Sequence, residues 1–180
     1  MTSPASAPTP LPDDDPAREL LVAEPESPDV AHIALAGNIY SILVTGRQTA
    51  GRYCLIDMQV PAGGGPPPHR HDFEEMFTLL EGEIDFIFRG ETRRVAAGST
   101  VNIPANAPHH FRNNSGRPAR MLCMCTPAGQ EEYFALCGDP VDSPNSPPPH
   151  LSDEQQDQRR RTAADLAPRF ATELLPADGK

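Results

Sequence analysis

The sequence has no tryptophan, and its 180 residues include only 7 Phe and 3 Tyr. No apolar run approaches the ~18 residues that a membrane-spanning helix needs, so no such span is expected. Basic residues are few: 15 Lys and Arg stand against 25 Asp and Glu, a formal net charge of -10. Phosphate backbones repel such a chain, and no basic stripe interleaved with aromatics offsets it, so nucleic acid is not an expected partner. The four cysteines, at 54, 123, 125 and 137, form no C-x2-C pair. The start Met1-Thr2-Ser3-Pro4 lacks a basic segment followed by an apolar one, so no secretory leader is expected. Free thiols in a reducing cytoplasm follow from both absences.

Glycine is outnumbered by proline, 13 to 22, but the two are segregated. Seven prolines fall in residues 1–28 and five in 140–149, while 12 glycines lie between 31 and 140. The first thirty residues also carry seven acids and one Arg. An acidic, Pro-rich, aromatic-free segment cannot bury enough apolar surface to order itself, so 1–30 reads as a disordered tail. Residues 31–140 read as one domain. There the pattern has period two, interrupted by turn signals. Ile39–Thr45, Arg52–Val60, Glu83–Arg89, Arg93–Val95, Val101–Ile103 and Ala119–Thr126 are the expected strands. Many short strands with Gly and Pro between them predict an all-β sandwich or barrel. Glu131–Cys137 follows as a short helix, and 139–149 as a linker too proline-rich for regular structure. Ser152 stands three residues before Gln155, a capping-box spacing that opens a polar helix to Leu166, ended by Pro168. Phe170–Leu175 is a possible final strand.

The informative segment is 63–82. His69 and His71 are one residue apart, which on a strand puts both imidazoles on one face, and Glu75 follows in phase. His109 comes from a second segment, five residues after Pro104. Three imidazoles and one carboxylate on inward positions suit a divalent transition ion, with Mn, Fe, Co, Ni, Cu and Zn all acceptable. A larger ion so held keeps positions free for water, O2 or substrate. His110 is out of phase with His109 and Glu74 with Glu75, so neither is expected to ligate. Arg70 is expected to point outward and pair with an acid, and His32 and His150 to lie near element edges as solvent or capping residues. Cys123 and Cys125 share a face with Met121 and read as core filling.

These spacings resemble the two cupin motifs. Gly63, His69, His71, Glu75 and Gly82 fall on the first, G-x5-H-x-H-x3,4-E-x6-G, and Gly98, Pro104, His109 and Asn113 on the second, G-x5-P-x-G-x2-H-x3-N. Asn106 stands where the family has Gly; Asn is the residue that best replaces Gly in a left-handed turn. The resemblance implies a double-stranded β-helix, or jelly-roll barrel, with a short C-terminal helical extension. It also implies one divalent metal per chain, held by His69, His71, Glu75 and His109.

Within the superfamily, the chain is most similar to small single-domain cupins of the quercetin 2,3-dioxygenase type. The run Gly129-Gln130-Glu131-Glu132-Tyr133-Phe134 resembles the helix that follows their barrel. That resemblance implies a dioxygenase in which Glu75 takes the hydroxyl proton of an enolisable, flavonol-like aromatic molecule that then reacts with O2. Ile56, Met58, Phe73, Phe77, Phe86, Phe88, Ile103, Phe111 and Met121 are the expected pocket lining. A binding module without turnover, or a sugar isomerase or epimerase, would share the fold; the Phe and Met lining suits a sugar poorly. A homodimer is expected, built on the apolar run Ile39–Val44, because a small barrel has reason to pair an exposed strand edge.

Overall fold

The computed structural model describes residues 11–176. Ten strands come first: β1 (Ala31–Leu35), β2 (Asn38–Val44), β3 (Cys54–Val60), β4 (His69–His71), β5 (Glu74–Glu81), β6 (Glu83–Phe88), β7 (Glu91–Ala96), β8 (Thr100–Ile103), β9 (His109–Arg112) and β10 (Ala119–Thr126). Helix α1 (Gln130–Cys137), strand β11 (Asp139–Val141), helix α2 (Asp153–Leu166), a 3-10 turn at Ala167–Phe170 and strand β12 (Thr172–Leu174) follow. All strand pairs are antiparallel. They form a seven-stranded sheet in the order β11-β1-β2-β3-β10-β5-β8 and a five-stranded sheet in the order β12-β4-β9-β6-β7. This is the expected all-β jelly roll with a C-terminal helical extension, built as two sheets rather than one closed barrel.

Strict alternation buries one face of each central strand. In β3, Cys54, Ile56, Met58 and Val60 turn inward; in β10, Met121, Cys123 and Cys125 do. Asp57 is buried on the other face of β3, where the Arg120 guanidinium meets both its oxygens. The motif turns explain two residue choices. A side chain at Gly82, with φ +78, would place its Cβ 2.9 Å from both Ala119 Cβ and the Pro118 carbonyl oxygen. Asn106 adopts φ +67, the left-handed conformation that its place in the motif demands.

Several expectations change. β1 was not foreseen, and it carries His32 into the interior, where Nδ1 lies 2.8 Å from Ser41 Oγ. The segment read as irregular from Asp139 opens with β11, in which Pro140 stands opposite Ile33. Pro is tolerated there because β11 is a sheet edge. β2, on which the homodimer expectation rested, is paired on both sides, by β1 and β3, so Ile39–Val44 offers no free edge. Of the tail expected over 1–30, residues 1–10 lie outside the described residues; 11–30 form only turns and bends, with Leu11, Leu20 and Val22 exposed. Among the described residues no helix is long and apolar enough to cross a membrane.

Candidate metal centre

The two sheets bring the four motif side chains together from opposite sides. β4 holds His69 and His71 on one face, and its neighbour β9 sets His109 directly opposite His69. Glu75 comes from β5 in the other sheet, after the chain turns through Asp72 and Phe73. All four are buried, and one ligand atom from each lies within 4.8 Å of the others. Glu75 Oε2 is 3.1 Å from His71 Nε2 and 3.2 Å from His109 Nε2. Ligands held at ~2.1 Å around one ion are separated by about 3.0 Å when cis in an octahedron and about 3.4 Å in a tetrahedron. These two spacings fall between those values.

The tautomers are fixed by the backbone. Nδ1 of His69, His71 and His109 lies 2.9 Å from the carbonyl oxygens of Pro67, Phe73 and Ala107 respectively. A carbonyl only accepts, so each Nδ1 carries a hydrogen, and each ring turns its Nε2 to the centre. Three lone pairs facing a carboxylate oxygen repel one another until a cation, a proton or a metal, sits among them. A divalent ion satisfies all four at once, so the donor set fits a metal. Burial, reinforced by the neighbouring His109, pushes the His69 imidazole down to about 4. Burial alone would raise the Glu75 carboxyl, but a proton shared onto Nε2 of His109 or His71 donates to it, and this outweighs burial and holds the carboxyl well below the usual carboxylate range. A metal entering the centre takes the place of that shared proton.

The surroundings match the parity expectations. Glu74 turns away and accepts from Asn102 Nδ2 at 3.0 Å and Ala105 N at 3.1 Å. Arg70 points outward and pairs with Glu173 on β12. The His71 ring stacks on Phe73, centroids 3.8 Å apart.

A cavity of about 540 Å3 opens from the centre, with His69 and Glu75 at its inner end. Met58, Phe77 and Phe111 line it as expected. The other residues expected there are not part of its wall: Ile56, Phe73, Phe86, Ile103 and Met121 are packed in the core, and Phe88 is partly buried against it. Strand parity separates inward from outward, but an inward side chain can equally fill a packed layer. Much of the remaining wall comes from β2 and from the two helices, whose contribution strand parity does not mark. Tyr40 and Phe134, rings 4.4 Å apart, form part of it, with Gln130 and Tyr133 from α1 and Arg159 and Ala163 from α2. Tyr133 Oη donates to the Ala163 carbonyl at 2.9 Å, and Arg159 pairs with Asp139, tying α2 across the mouth.

Residues 56–125, which span β3 to β10 and hold all four candidate ligands, match the cupin domain family. Residues 56–125 of this chain are a cupin domain. It is 28% identical over 141 residues to a quercetin 2,3-dioxygenase of Bacillus subtilis, a match covering 77% of this chain and 41% of that protein. It is 32% identical over 79 residues to an uncharacterized protein of Methanocaldococcus jannaschii, covering 43% of this cupin and 63% of the other. This chain thus spans about two fifths of the Bacillus dioxygenase and under two thirds of the archaeal protein. Among solved structures, a predicted oxalate decarboxylase from Thermotoga maritima superposes with a TM-score of 0.53 at 18% identity, covering 59% of this cupin and 99% of that chain, which shows a shared fold.

Proposed function

We propose that this cupin holds one divalent transition ion at His69, His71, Glu75 and His109 and acts as a dioxygenase on an enolisable, flavonol-like aromatic molecule. The observation that carries the reading is the convergence of three Nε2 lone pairs and Glu75 Oε2 at the inner end of a largely apolar cavity. Its volume of about 540 Å3 is in the range of pockets that enclose a multi-ring molecule. The 28% identity to a quercetin 2,3-dioxygenase supports the substrate class.

A bound ion supplies Lewis acidity toward an enol oxygen and one-electron chemistry toward O2. The chain's own residues do the rest. Met58, Phe77 and Phe111 give the aromatic rings an apolar bed and exclude water from the reacting carbons. Tyr40, whose phenol burial pushes up, stays protonated in the wall, where its Oη accepts from Asn38 Nδ2 at 3.1 Å. Glu75 is ionised and lines the cavity, so one of its carboxylate oxygens is placed to take the substrate's hydroxyl proton. The carbonyl bonds at the three Nδ1 atoms keep the rings from rotating as that proton moves.

The test is oxygen uptake by full-length protein loaded separately with Mn, Fe, Co, Ni, Cu or Zn, over a panel of flavonols and diketones. Uptake that depends on both metal and flavonol supports the reading. Tight metal binding with no uptake on any combination refutes it and leaves a binding cupin.

A further inference from the structure

Glu75 divides its two oxygens between two sets of side chains. Oε2 faces the imidazoles, whereas Oε1 lies 3.3 Å from Cys123 Sγ and 3.7 Å from Cys125 Sγ, and the two sulfurs are 3.6 Å apart. Both thiols sit on the inner face of β10, the strand beside β5, with Cys125 directly opposite Glu75 in the register. We propose that Cys123, Cys125 and Glu75 Oε1 form a second, thiophilic metal site, separate from the histidine centre and joined to it through the Glu75 carboxylate; an ion there occupies the oxygen that would otherwise accept the substrate's proton.

The dimensions support this. A tetrahedral ion with bonds of ~2.3 Å to sulfur and ~2.0–2.2 Å to oxygen needs a sulfur–sulfur edge of about 3.8 Å and sulfur–oxygen edges of about 3.5–3.7 Å. The three atoms form a triangle with edges of 3.3, 3.6 and 3.7 Å, one face of such a tetrahedron with little rearrangement. The donors also choose the ion. Two thiolates favour a soft ion such as Zn2+, Cd2+ or Cu+ over harder ions such as Mn2+. On binding, the two S–H protons leave to solvent, and the two negative charges that remain match a second divalent cation beside the first. Glu75, which the two sites share, lines the cavity. Cys54, fully buried and opposite Cys125 on β3, adds a third thiol at the edge of the cluster.

Titration of the full-length, reduced, metal-stripped protein with Cd2+ tests the site, following bound metal and the ultraviolet thiolate-to-cadmium charge-transfer band together. Two ions per chain are expected, with the band growing over one equivalent. The Cys123→Ser/Cys125→Ser double variant should lose the band and one equivalent. His71→Ala should keep the band while losing the other ion, which separates failure of the histidine centre from failure of the thiol site. Cadmium binding to wild-type protein without the band overturns the proposal, and that measurement stands even if the serine variant does not fold. A band that survives the double variant assigns it to Cys54 or Cys137 and overturns the proposal as well.

Discussion

Replacing Glu75 by Gln separates what the carboxylate does for the metal from what it does for the fold. The amide is isosteric, and the metal-free site suits it well. Its NH2 has two hydrogens, and His71 Nε2 and His109 Nε2 present two lone pairs at 3.1 and 3.2 Å from the atom it replaces. Its oxygen then takes the place of Oε1 and accepts from the Cys123 and Cys125 thiols. Both of these imidazoles and both thiols are satisfied, and a buried charge is gone. Metal binding must undo this: the amide has to flip so that its oxygen faces the ion, and two N–H···N bonds break. At about 1–1.5 kcal/mol each, that costs about 2–3 kcal/mol, or roughly 30- to 150-fold in affinity before the lost negative charge is counted. The variant is therefore expected to melt no lower than wild type without metal, yet to lose most of the metal-induced rise in melting temperature. Thermal unfolding with and without Ni2+, together with competition against a chelator, reads both effects. Wild-type affinity in Glu75→Gln, or a metal-free form several degrees less stable, would falsify this account of the site. Turnover per bound metal should in turn fall by about 10²–10⁴ if Glu75 is the proton acceptor, with recovery on substrates already ionised at the assay pH.

His71→Ala should lower metal occupancy at least tenfold, since even partners outside the ligand set are worth that much; full occupancy measured by mass spectrometry would remove His71 from the ligands. Metal-free protein should lose stability as the pH falls from about 6.5 to about 4, because the unfolded chain takes up a proton at His69 that the folded chain, with this imidazole pushed down to about 4, does not. Glu75, held below the usual carboxylate range, adds a further loss below about 4.5, so urea midpoints that stay flat from pH 7 to 4.5 would contradict the burial argument. Deleting residues 1–28 should leave the melting temperature within a few degrees, since Leu11, Leu20 and Val22 are exposed in the described part of that segment; a large drop would show that it docks. We expect a homodimer in solution from the free sheet edges, and light scattering that returns the 19.5 kDa mass of one chain removes that expectation.

Much of the fold could be read from local signals. Ala119–Thr126 was marked by alternation alone, and the spacing of Ser152 and Gln155 became a capping box with both of its bonds formed. Asn106 adopts its left-handed turn because Asn tolerates one. What escaped depends on partners distant in sequence. β1 and β11 are short and irregular in pattern; β1 is a strand because β2 pairs along its whole length, and β11 because β1 offers it an edge. His32 looked like a solvent residue until Ser41, nine residues on, provided a buried partner. Cys123 and Cys125 carried the right parity for the interior, but only the register of β10 against β5 shows that they end at a carboxylate oxygen.

The same division runs through the site. The ligands lie within two motifs whose spacing sets both strand phase and turn geometry, so local sequence suffices to bring four donors to one point. The cavity has no such encoding. Its wall takes Met58 from β3, Tyr40 from β2, Phe134 from α1 and Arg159 from α2, and strand parity could not distinguish Met58 and Phe77 from Ile56 and Ile103, which pack solidly instead. A substitution at Tyr40 or Phe134 changes the shape offered to a substrate and leaves the carbonyl bonds that fix the three imidazoles untouched. Metal chemistry and substrate choice can therefore vary independently on this scaffold, and a motif match alone carries the first without the second.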